Sequence, residues 1–234
     1  VCPQTVVAKD GAVLRDLCGK KTCLTTFLNG ASVFDITINH CAELGKAAAR
    51  LHLAGESYAG YRKNDLSVGG WAVLLDKIGK NADSVERGLA AEMAADYAEI
   101  KTDFSSGLPQ GVIHADLFPD NVFFENGKLS GIIDFYFACN DAFAYELAIC
   151  LNAWCFDAGT WTFNADKARA LMTAYQSVRP LTDGEKAALP VLARGSALRF
   201  LLTRTYDWLN GTPDALVTPK DPTEYVAKLR FHRS

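Results

Sequence analysis

The sequence has no apolar run long enough to cross a bilayer, because Lys, Arg, Asp or Asn interrupts every apolar stretch before about 18 residues. It also lacks an excess of one charge: 24 Lys and Arg residues face 27 Asp and Glu residues, which gives a net charge of -3. This balance excludes a strongly basic nucleic-acid binder. No internal repeat or low-complexity segment is visible. We therefore expect neither a membrane nor a nucleic acid as a partner.

The seven cysteines form no C-x-x-C pair, are odd in number and lie far apart, mostly within apolar runs. This pattern argues against a zinc or disulfide framework and favours reduced thiols. The chain starts at Val1 without Met, and neither a charged leader nor an apolar signal core follows. We therefore expect a cytoplasmic protein, and we expect the printed start to be internal to a longer chain.

What the sequence does contain is a globular composition, with 49% hydrophobic and 11% aromatic residues in 234 positions. Such a chain can bury a sizeable core. Short β-rich runs separated by turn residues predict strands over residues 4–28. Three apolar pieces within 111–135 predict a loop and a hairpin, with Asn126-Gly127 as the turn. Apolar residues at helical spacing predict helices over about 36–53, 84–102, 141–156, 165–178 and 182–210.

These elements together predict an α+β fold in which a small sheet is followed by a mostly helical body. The helix over 182–210 begins with a capping-box spacing at Thr182 and Glu185. Pro190 lies inside it and is expected to kink or split it.

The most informative stretch is residues 114–121, His-Ala-Asp-Leu-Phe-Pro-Asp-Asn, followed by an Asp-Phe pair at 134–135. The H-x-D-L-x-x-x-N pattern with a later D-F pair is typical of the catalytic loop and metal site of kinase-like phosphotransferases. Taken one at a time, Asp116, Asn121 and Asp134 could be ordinary turn residues. Their combination at this spacing favours the functional interpretation, and we expect the three side chains to meet at one edge of the helical body.

Phosphoryl transfer needs a positioned hydroxyl and neutralisation of charge on the phosphate oxygens. Asp116 is therefore predicted to accept a hydrogen bond from the attacking hydroxyl and to receive its proton. Asn121 and Asp134 are predicted to hold the magnesium ions that bridge the phosphates. His114 is expected to brace the loop rather than to react.

The chain resembles the aminoglycoside phosphotransferase superfamily and, within it, the homoserine kinases of the bacterial threonine pathway. The segments that carry this resemblance are 111–118, 120–124, 131–141, 150–156, 175–181, 194–200 and 206–209. They extend over nearly the whole chain. The residues at 136–141 and 151–156 are characteristic of this branch, and they narrow the resemblance from the superfamily to the homoserine kinases. The resemblance implies a protein-kinase-like fold and transfer of the ATP γ-phosphate to the hydroxyl of L-homoserine, with Mg²⁺.

The resemblance also identifies residues 26–30 as the hinge between two lobes, so that the backbone at Phe27 and Leu28 is expected to meet the adenine of ATP. Residues 1–28 would then be the last strands of a small N-terminal lobe and the start of the hinge. Residues 29–234 would be the large catalytic lobe.

A complete enzyme of this type carries a glycine-rich loop, a strand lysine and a helix glutamate before the hinge. No G-x-G-x-x-G precedes the hinge here, and Lys9 is too close to Phe27 for the intervening helix. Lys9 is therefore read as a solvated hairpin residue. We expect a truncated chain that binds ATP poorly and is inactive by itself.

Two side chains are candidates for binding the acceptor substrate. Arg199 lies on a mostly apolar helix, where its guanidinium needs an anion. A homoserine carboxylate is one possibility, and an internal ion pair with Asp141, Glu146 or Asp207 is the alternative that the sequence favours. Tyr136 lies two residues after Asp134, the predicted metal ligand. Its side chain is expected either to line the acceptor pocket or to pack against neighbouring side chains.

Asp141 and Glu146 are also interpreted as acids that stabilise the start of a helix. Two rival functions remain open at this point. One is a related kinase for an aminoglycoside, a choline-like alcohol or a sugar, and the other is a non-catalytic binding module that kept the fold.

Overall fold

The computed structural model describes residues 2–102, 104–211 and 218–233. The fold is α+β, as expected: a helical body carries four small antiparallel two-stranded sheets within these ranges. The helices are α1 Ile38–Gly55, α2 Val68–Ile78, α3 Leu89–Ile100, α4 Phe143–Trp154, α5 Ala165–Gln176, α6 Asp183–Asn210 and α7 Thr223–Phe231. The strands are β1 Arg15–Leu17, β2 Lys20–Thr22, β3 Gln110–Ile113, β4 Val122–Glu125, β5 Lys128–Ile132, β6 Cys139–Ala142, β7 Phe156–Asp157 and β8 Thr162–Phe163.

Helix α4 lies at the centre of the body, and ten of its twelve residues are buried. A helix that is apolar on all sides must be covered on all sides. Tyr145 of α4 belongs to one core cluster, which also contains Trp71 of α2 and Leu198 of α6. Leu147 and Trp154 of α4 belong to a second cluster with α1, α5 and the β4–β5 hairpin. The apolar sequence of α4 therefore joins the two halves of the core.

Helices α1 and α5 pack closely because α1 has a glycine at their contact. A Cβ atom on Gly45 would lie 2.3 Å from the backbone oxygen of Leu171 on α5. Helix α1 begins with a reciprocal cap between Thr37 and His40. Its buried face includes Cys41, as its helical spacing predicts.

The sheets position the ends of two strands beside each other. Strand β3 pairs antiparallel with β6, and β4 pairs antiparallel with β5. The β4–β5 turn is the predicted Asn126-Gly127, and both residues have the positive φ that this turn requires, 50° and 72°. Strand β3 leads into residues 114–121, and β5 ends just before Asp134.

Near the N-terminus the structure differs from the sequence expectation. The strands there are only β1 and β2, and the turn between them contains Cys18 and Gly19. Residues 8–11 form a turn, but an isolated bridge between Thr5 and Thr25 is the nearest pairing to the expected strands. All six residues of β1 and β2 are exposed, so little packing supports a longer ladder.

Several helices also differ from their predicted bounds. Helix α3 begins at Leu89 rather than near 84, because Gly88 before it is left-handed, with φ 87°. Helices α2 and α7 and strands β6, β7 and β8 were not predicted from the sequence. Pro190 does not split α6, which runs from 183 to 210 with its predicted capping box. Pro190 is exposed, so water can satisfy the carbonyl that loses its helical partner.

None of the helices in the described ranges has both the length and the apolar character needed to cross a membrane.

Candidate active site

The segment between β3 and β4 forms a loop that is fixed at both ends. His114 leaves β3 with its side chain fully buried. Its Nε2 lies 2.8 Å from the carbonyl oxygen of Ile133, and its ring centroid is 4.6 Å from that of Phe135. His114 thus joins the loop to the chain on both sides of Asp134.

Asp116 and Asn121 contact each other across this loop. The Nδ2 of Asn121 donates to the backbone oxygen of Asp116 at 2.8 Å and to its carboxylate at 3.1 Å. A 3₁₀ turn over Pro119–Asn121 brings the two together, and the fixed φ of Pro119 suits its first position. The backbone oxygen of Asn121 accepts from Ile133 at 3.0 Å, which draws the loop to the residue before Asp134.

Asp134 follows β5 in the left-handed region, with φ 62° and ψ 59°. This conformation is uncommon for a residue other than glycine and persists only where neighbours enforce it. Its carboxylate makes no hydrogen bond or ion pair with any described residue. Asp134 also lines a cavity of about 710 Å³ together with Phe27 and Leu28. An unpartnered carboxylate on an open cavity is available to a cation.

Asp116 lines a different cavity, of about 190 Å³, together with Phe137 and Arg199. Burial raises the pKa of Asp116, the positive charges of Arg199 and His114 partly oppose that rise, and Asp134 adds to it. The interaction with Asp134 relates the small cavity to the large one. Asp116 therefore borders the small cavity directly and is linked to the large cavity only through the charge of Asp134.

The predicted hinge residues lie at the rim of the large cavity. The Phe27 side chain is 91% exposed, whereas Leu28 contacts Gly131, leaving no room for a Cβ there. Residue Ala31, just beyond the hinge, exchanges two backbone hydrogen bonds with Phe124 at 2.9 and 3.1 Å. The segment is thereby attached to β4, at the edge of the cavity that contains Asp134.

Tyr136 is not brought to the small cavity. Its side chain is 78% exposed, and it is the next residue, Phe137, that lines the pocket beside Asp116. The backbone oxygen of Tyr136 accepts from Arg62 at 2.6 Å, which helps to hold the turn after Asp134. Sequence patterns alone do not distinguish these two adjacent aromatic residues.

Arg199 is 1% exposed and lines the small cavity. Its Nη1 donates to the backbone oxygen of Ala115 at 2.5 Å, and its guanidinium lies 4.3 Å from the ring centroid of Phe200. No carboxylate of the described residues lies within ion-pair distance, and its Nε has no hydrogen-bond partner. The internal ion pair that the sequence favoured for Arg199 is therefore wrong, because the guanidinium donates to a carbonyl and lies over an aromatic ring and leaves Nε unpaired among the described residues.

Glu146 has a larger structural role than its position at the start of a helix suggested. It lies in the first turn of α4, but its fully buried carboxylate turns to the loop and accepts the backbone N–H groups of His114 and Ala115, the latter at 3.2 Å. Its other neighbour is His52, with Nε2 at 4.0 Å. A single acid within the apolar run 143–149 was the available signal, because a buried carboxylate needs partners.

Burial works to raise the pKa of Glu146, but the neighbouring imidazoles of His52 and His114 outweigh it, so the pKa lies below its ordinary value. The carboxylate is therefore ionised when it holds the loop. Asp141 does not contact this loop: it accepts from the backbone N–H of Ala142 at 2.7 Å and from the Asn64 side chain at 2.7 Å. The predicted support of the helix start by Asp141 is not seen, because α4 has no side-chain cap and the Asp141 carboxylate is held by Asn64 and the adjacent backbone.

The described residues contain no group of three or more His, Cys, Asp or Glu side chains arranged to hold a metal ion. Asn121 and Asp134 offer two oxygen ligands, since the amide nitrogen of Asn121 is occupied by Asp116 and its amide oxygen is left free. Mg²⁺ commonly takes only one or two protein oxygens and completes its shell with phosphate and water. The donor set fits a magnesium ion that arrives with a nucleotide.

The phosphotransferase enzyme family matches residues 1–181. A homoserine kinase from Rhodospirillum rubrum is 57% identical over 233 residues, covering 100% of this chain and 72% of that protein.

Among solved structures, an aminoglycoside phosphotransferase from Alicyclobacillus acidocaldarius superposes with a TM-score of 0.68 at 16% identity, over 99% of this chain and 74% of that one. The amicoumacin kinase hAmiN, in complex with AMP-PNP, Ca²⁺ and Ami, gives a TM-score of 0.68 at 15% identity, over 99% and 71% of the two chains.

Proposed function

The chain belongs to the phosphotransferase enzyme family, among its homoserine kinases, and from that premise we propose that it transfers the γ-phosphate of ATP to the side-chain hydroxyl of L-homoserine at Asp116. The observation that carries this proposal is the position of Asp116 on the small cavity, beside the loop contact with Asn121 and in electrostatic contact with Asp134. In this arrangement a small alcohol would lie beside Asp116 in the small cavity and a nucleotide beside Asp134 in the large one.

In the proposed reaction, Asp116 accepts a hydrogen bond from the homoserine hydroxyl and orients it toward the γ-phosphate. The proton passes to Asp116 as the new oxygen–phosphorus bond forms. The buried setting that raises the pKa of Asp116 makes it a better proton acceptor than an exposed aspartate. Glu146 and His114 keep the loop in place during this step, because both bind its backbone or its neighbours.

Asn121 and Asp134 are the residues that would hold Mg²⁺, which neutralises charge on the phosphate oxygens when bound. The hinge backbone at Phe27 and Leu28 would receive the adenine, since both residues line the cavity of Asp134. Residues 1–28 and 29–234 remain our proposed division into small-lobe and large-lobe portions. We also propose a cytoplasmic location, which the seven free thiols support.

Arg199 is proposed to bind the homoserine carboxylate. Its guanidinium has no carboxylate partner in the described residues and faces the cavity of Asp116. Arginine binds carboxylates with two parallel hydrogen bonds, and the unpartnered Nε is one of the donors for such a pair. Tyr136 stays a substrate-binding prediction, but its exposure makes Phe137 the stronger candidate for the pocket wall.

The function is tested by measuring ADP release from the full-length protein with homoserine, choline and an aminoglycoside as acceptors. We expect kcat/KM for homoserine to exceed that for each of the others by at least about 100-fold, since a mismatch of charged groups in a small pocket costs roughly 3 kcal/mol or more. Equal turnover of the three acceptors would refute the substrate assignment.

The metal assignment gives a separate prediction. Asp134→Asn should raise the Mg²⁺ concentration for half-maximal activity about tenfold or more, because a charged ligand becomes neutral. The measurement is a Mg²⁺ titration of ADP release at fixed ATP. Glu125→Gln, an exposed carboxylate at the end of β4, is the matched control and should leave the titration unchanged. An Asp134→Asn midpoint equal to that of the control would remove Asp134 as a ligand.

A further inference from the structure

A network of buried polar side chains extends from Glu146 to helices α1 and α5. His52 of α1 is fully buried, and its Nδ1 lies 2.8 Å from the phenol oxygen of Tyr175 on α5, which is also fully buried. Its other ring nitrogen, Nε2, lies 4.0 Å from the carboxylate of Glu146 and has no hydrogen-bond partner among the described residues. The imidazole of His52 therefore lies between a phenol and the carboxylate that holds the catalytic loop.

Arg179, which follows α5, fixes the other end of this network. Its Nη1 donates to the phenol oxygen of Tyr175 at 3.2 Å and to the carboxylate of Glu185 at 2.8 Å. Glu185 is buried, and its second carboxylate oxygen accepts from the backbone of Thr182 at 2.9 Å in the capping box of α6. The guanidinium also lies 4.4 Å from the ring centroid of Phe143. These contacts hold a donor of Arg179 against Tyr175.

The direction of each hydrogen bond in the network follows from what the groups can donate. A guanidinium only donates, so the phenol oxygen of Tyr175 is an acceptor toward Arg179. Burial raises the pKa of Tyr175, against the opposing charge of Arg179, and the phenol therefore keeps its hydrogen. Among the described residues, Nδ1 of His52 is the acceptor that this hydroxyl reaches.

A phenol hydrogen bonded to Nδ1 fixes the tautomer of His52. A neutral imidazole has one N–H group, and when Nδ1 accepts a hydrogen bond, the hydrogen lies on Nε2. Nε2 is the nitrogen that faces the ionised carboxylate of Glu146. The opposite tautomer would leave the buried hydroxyl of Tyr175 without an acceptor and would turn a lone pair toward that carboxylate, and both changes cost free energy.

We propose that Tyr175 is a positioning residue for phosphoryl transfer, because its hydroxyl orients His52 and keeps the imidazole hydrogen on Nε2, where it holds the Glu146 carboxylate in place. That carboxylate accepts the two backbone N–H groups just before Asp116, so a displaced carboxylate would displace the base. Tyr175 is not among the described residues that line either cavity of the site, so it acts through His52 and Glu146 rather than on a substrate. The effect on turnover rests on the proposed function, whereas the tautomer of His52 does not.

The tautomer is measured by ¹⁵N NMR of the full-length protein with labelled histidine, at about pH 8, above the ordinary imidazole pKa of about 6.5. The His52 signals are identified by their contacts with the ring of Phe143, whose centroid lies 4.6 Å from that of His52. We expect the hydrogen on Nε2 and an unprotonated Nδ1 in the wild type. In Tyr175→Phe the Nδ1 signal should move, because the hydrogen bond that it accepts is lost. A hydrogen on Nδ1 of the wild type, alone or together with one on Nε2, overturns the inference.

Steady-state ADP release with homoserine gives the second readout. We expect Tyr175→Phe to lower kcat about 10-fold, the effect that corresponds to one buried hydrogen bond, and to leave KM for ATP and homoserine within about twofold. Neither cavity loses a contact, so the loss falls on kcat. Tyr225→Phe is the matched control, because Tyr225 is also fully buried but its hydroxyl has no hydrogen-bond partner in the described part of the chain. Its kcat should equal that of the wild type.

A double substitution tests whether Tyr175 acts through His52. In the His52→Leu background, adding Tyr175→Phe should change kcat less than about twofold, since the group that relays its effect is gone. An equal loss of kcat in both backgrounds, a loss that appears in KM instead, or an unchanged kcat in Tyr175→Phe overturns the inference while the proposed function still stands. Failure of the proposed function has a different signature, because the wild type itself would then show no preference for homoserine. Thermal melts check the folding of each variant, and the wild-type spectrum decides the tautomer without any variant.

Discussion

Asp116→Asn is expected to lower kcat about 10²- to 10⁴-fold, the range that a positioned general base contributes. The substitution keeps the shape of the side chain, and an asparagine oxygen can still accept the hydrogen bond that Asn121 donates. The loss is therefore attributed to the proton acceptor rather than to a displaced loop. Single-turnover and steady-state ADP release measure it. Asp166→Asn, an exposed aspartate of α5 whose side chain is 65% accessible, is the control.

The same variant is expected to be more stable than the wild type at neutral pH. Burial raises the folded-state pKa of Asp116, so the ionised form destabilises the folded state at every pH above that pKa. At low pH the group is neutral in both states, and the difference disappears. Urea unfolding at pH 7 should thus show a higher midpoint for Asp116→Asn. A lower midpoint together with near-normal turnover would contradict both parts of the assignment.

The raised pKa also sets the acid side of the pH profile. Asp116 acts as a base only when it is ionised. As the pH is lowered, kcat/KM should therefore begin to fall while the pH is still above the ordinary aspartate pKa of 3.8.

Glu146→Gln is expected to destabilise the fold by about 3–5 kcal/mol, as is typical when one member of a buried charged network is removed. The glutamine amide group would face the backbone N–H groups of His114 and Ala115 that the carboxylate now accepts. The loop should shift, and a displacement near 1 Å is enough to reduce kcat about 10²-fold. Denaturant unfolding and ADP release measure the two effects. Glu99→Gln, whose side chain is 65% exposed on α3, is the control.

The stability effect of Glu146 should depend on pH in a defined direction. Its folded-state pKa is depressed, so its ionised form stabilises the fold above the unfolded-state value of about 4.5, and this contribution is lost as the pH falls through the folded-state pKa. Wild type and Glu146→Gln should therefore differ most near pH 7 and converge in acid. A constant difference between pH 7 and pH 3 would indicate that packing, and not charge, is responsible.

The helices that the sequence predicted best are those whose apolar periodicity and caps agree. Helix α1 has a clear apolar face, and α6 starts at a capping box, so both appear near their predicted positions. Helix α7 and strand β6 were missed because each is short and carries polar residues among its apolar ones. Their structure depends on packing against α6 and on pairing with β3.

The order and spacing of Asp116, Asn121 and Asp134 were readable from the chain alone, because strand, loop and hairpin bring them together over fewer than twenty residues. The hydrogen-bond partners of Arg199 and Glu146 could not be read from the sequence. The bond from Arg199 to Ala115 spans 84 positions, and that from His114 to Glu146 spans 32. Sequence patterns report local periodicity and local turn chemistry, whereas contacts at such separations depend on how helices pack. The sequence by itself determined the α+β class and the chemistry of the loop, and tertiary packing alone decided which buried groups hold that loop and which charges face the pocket.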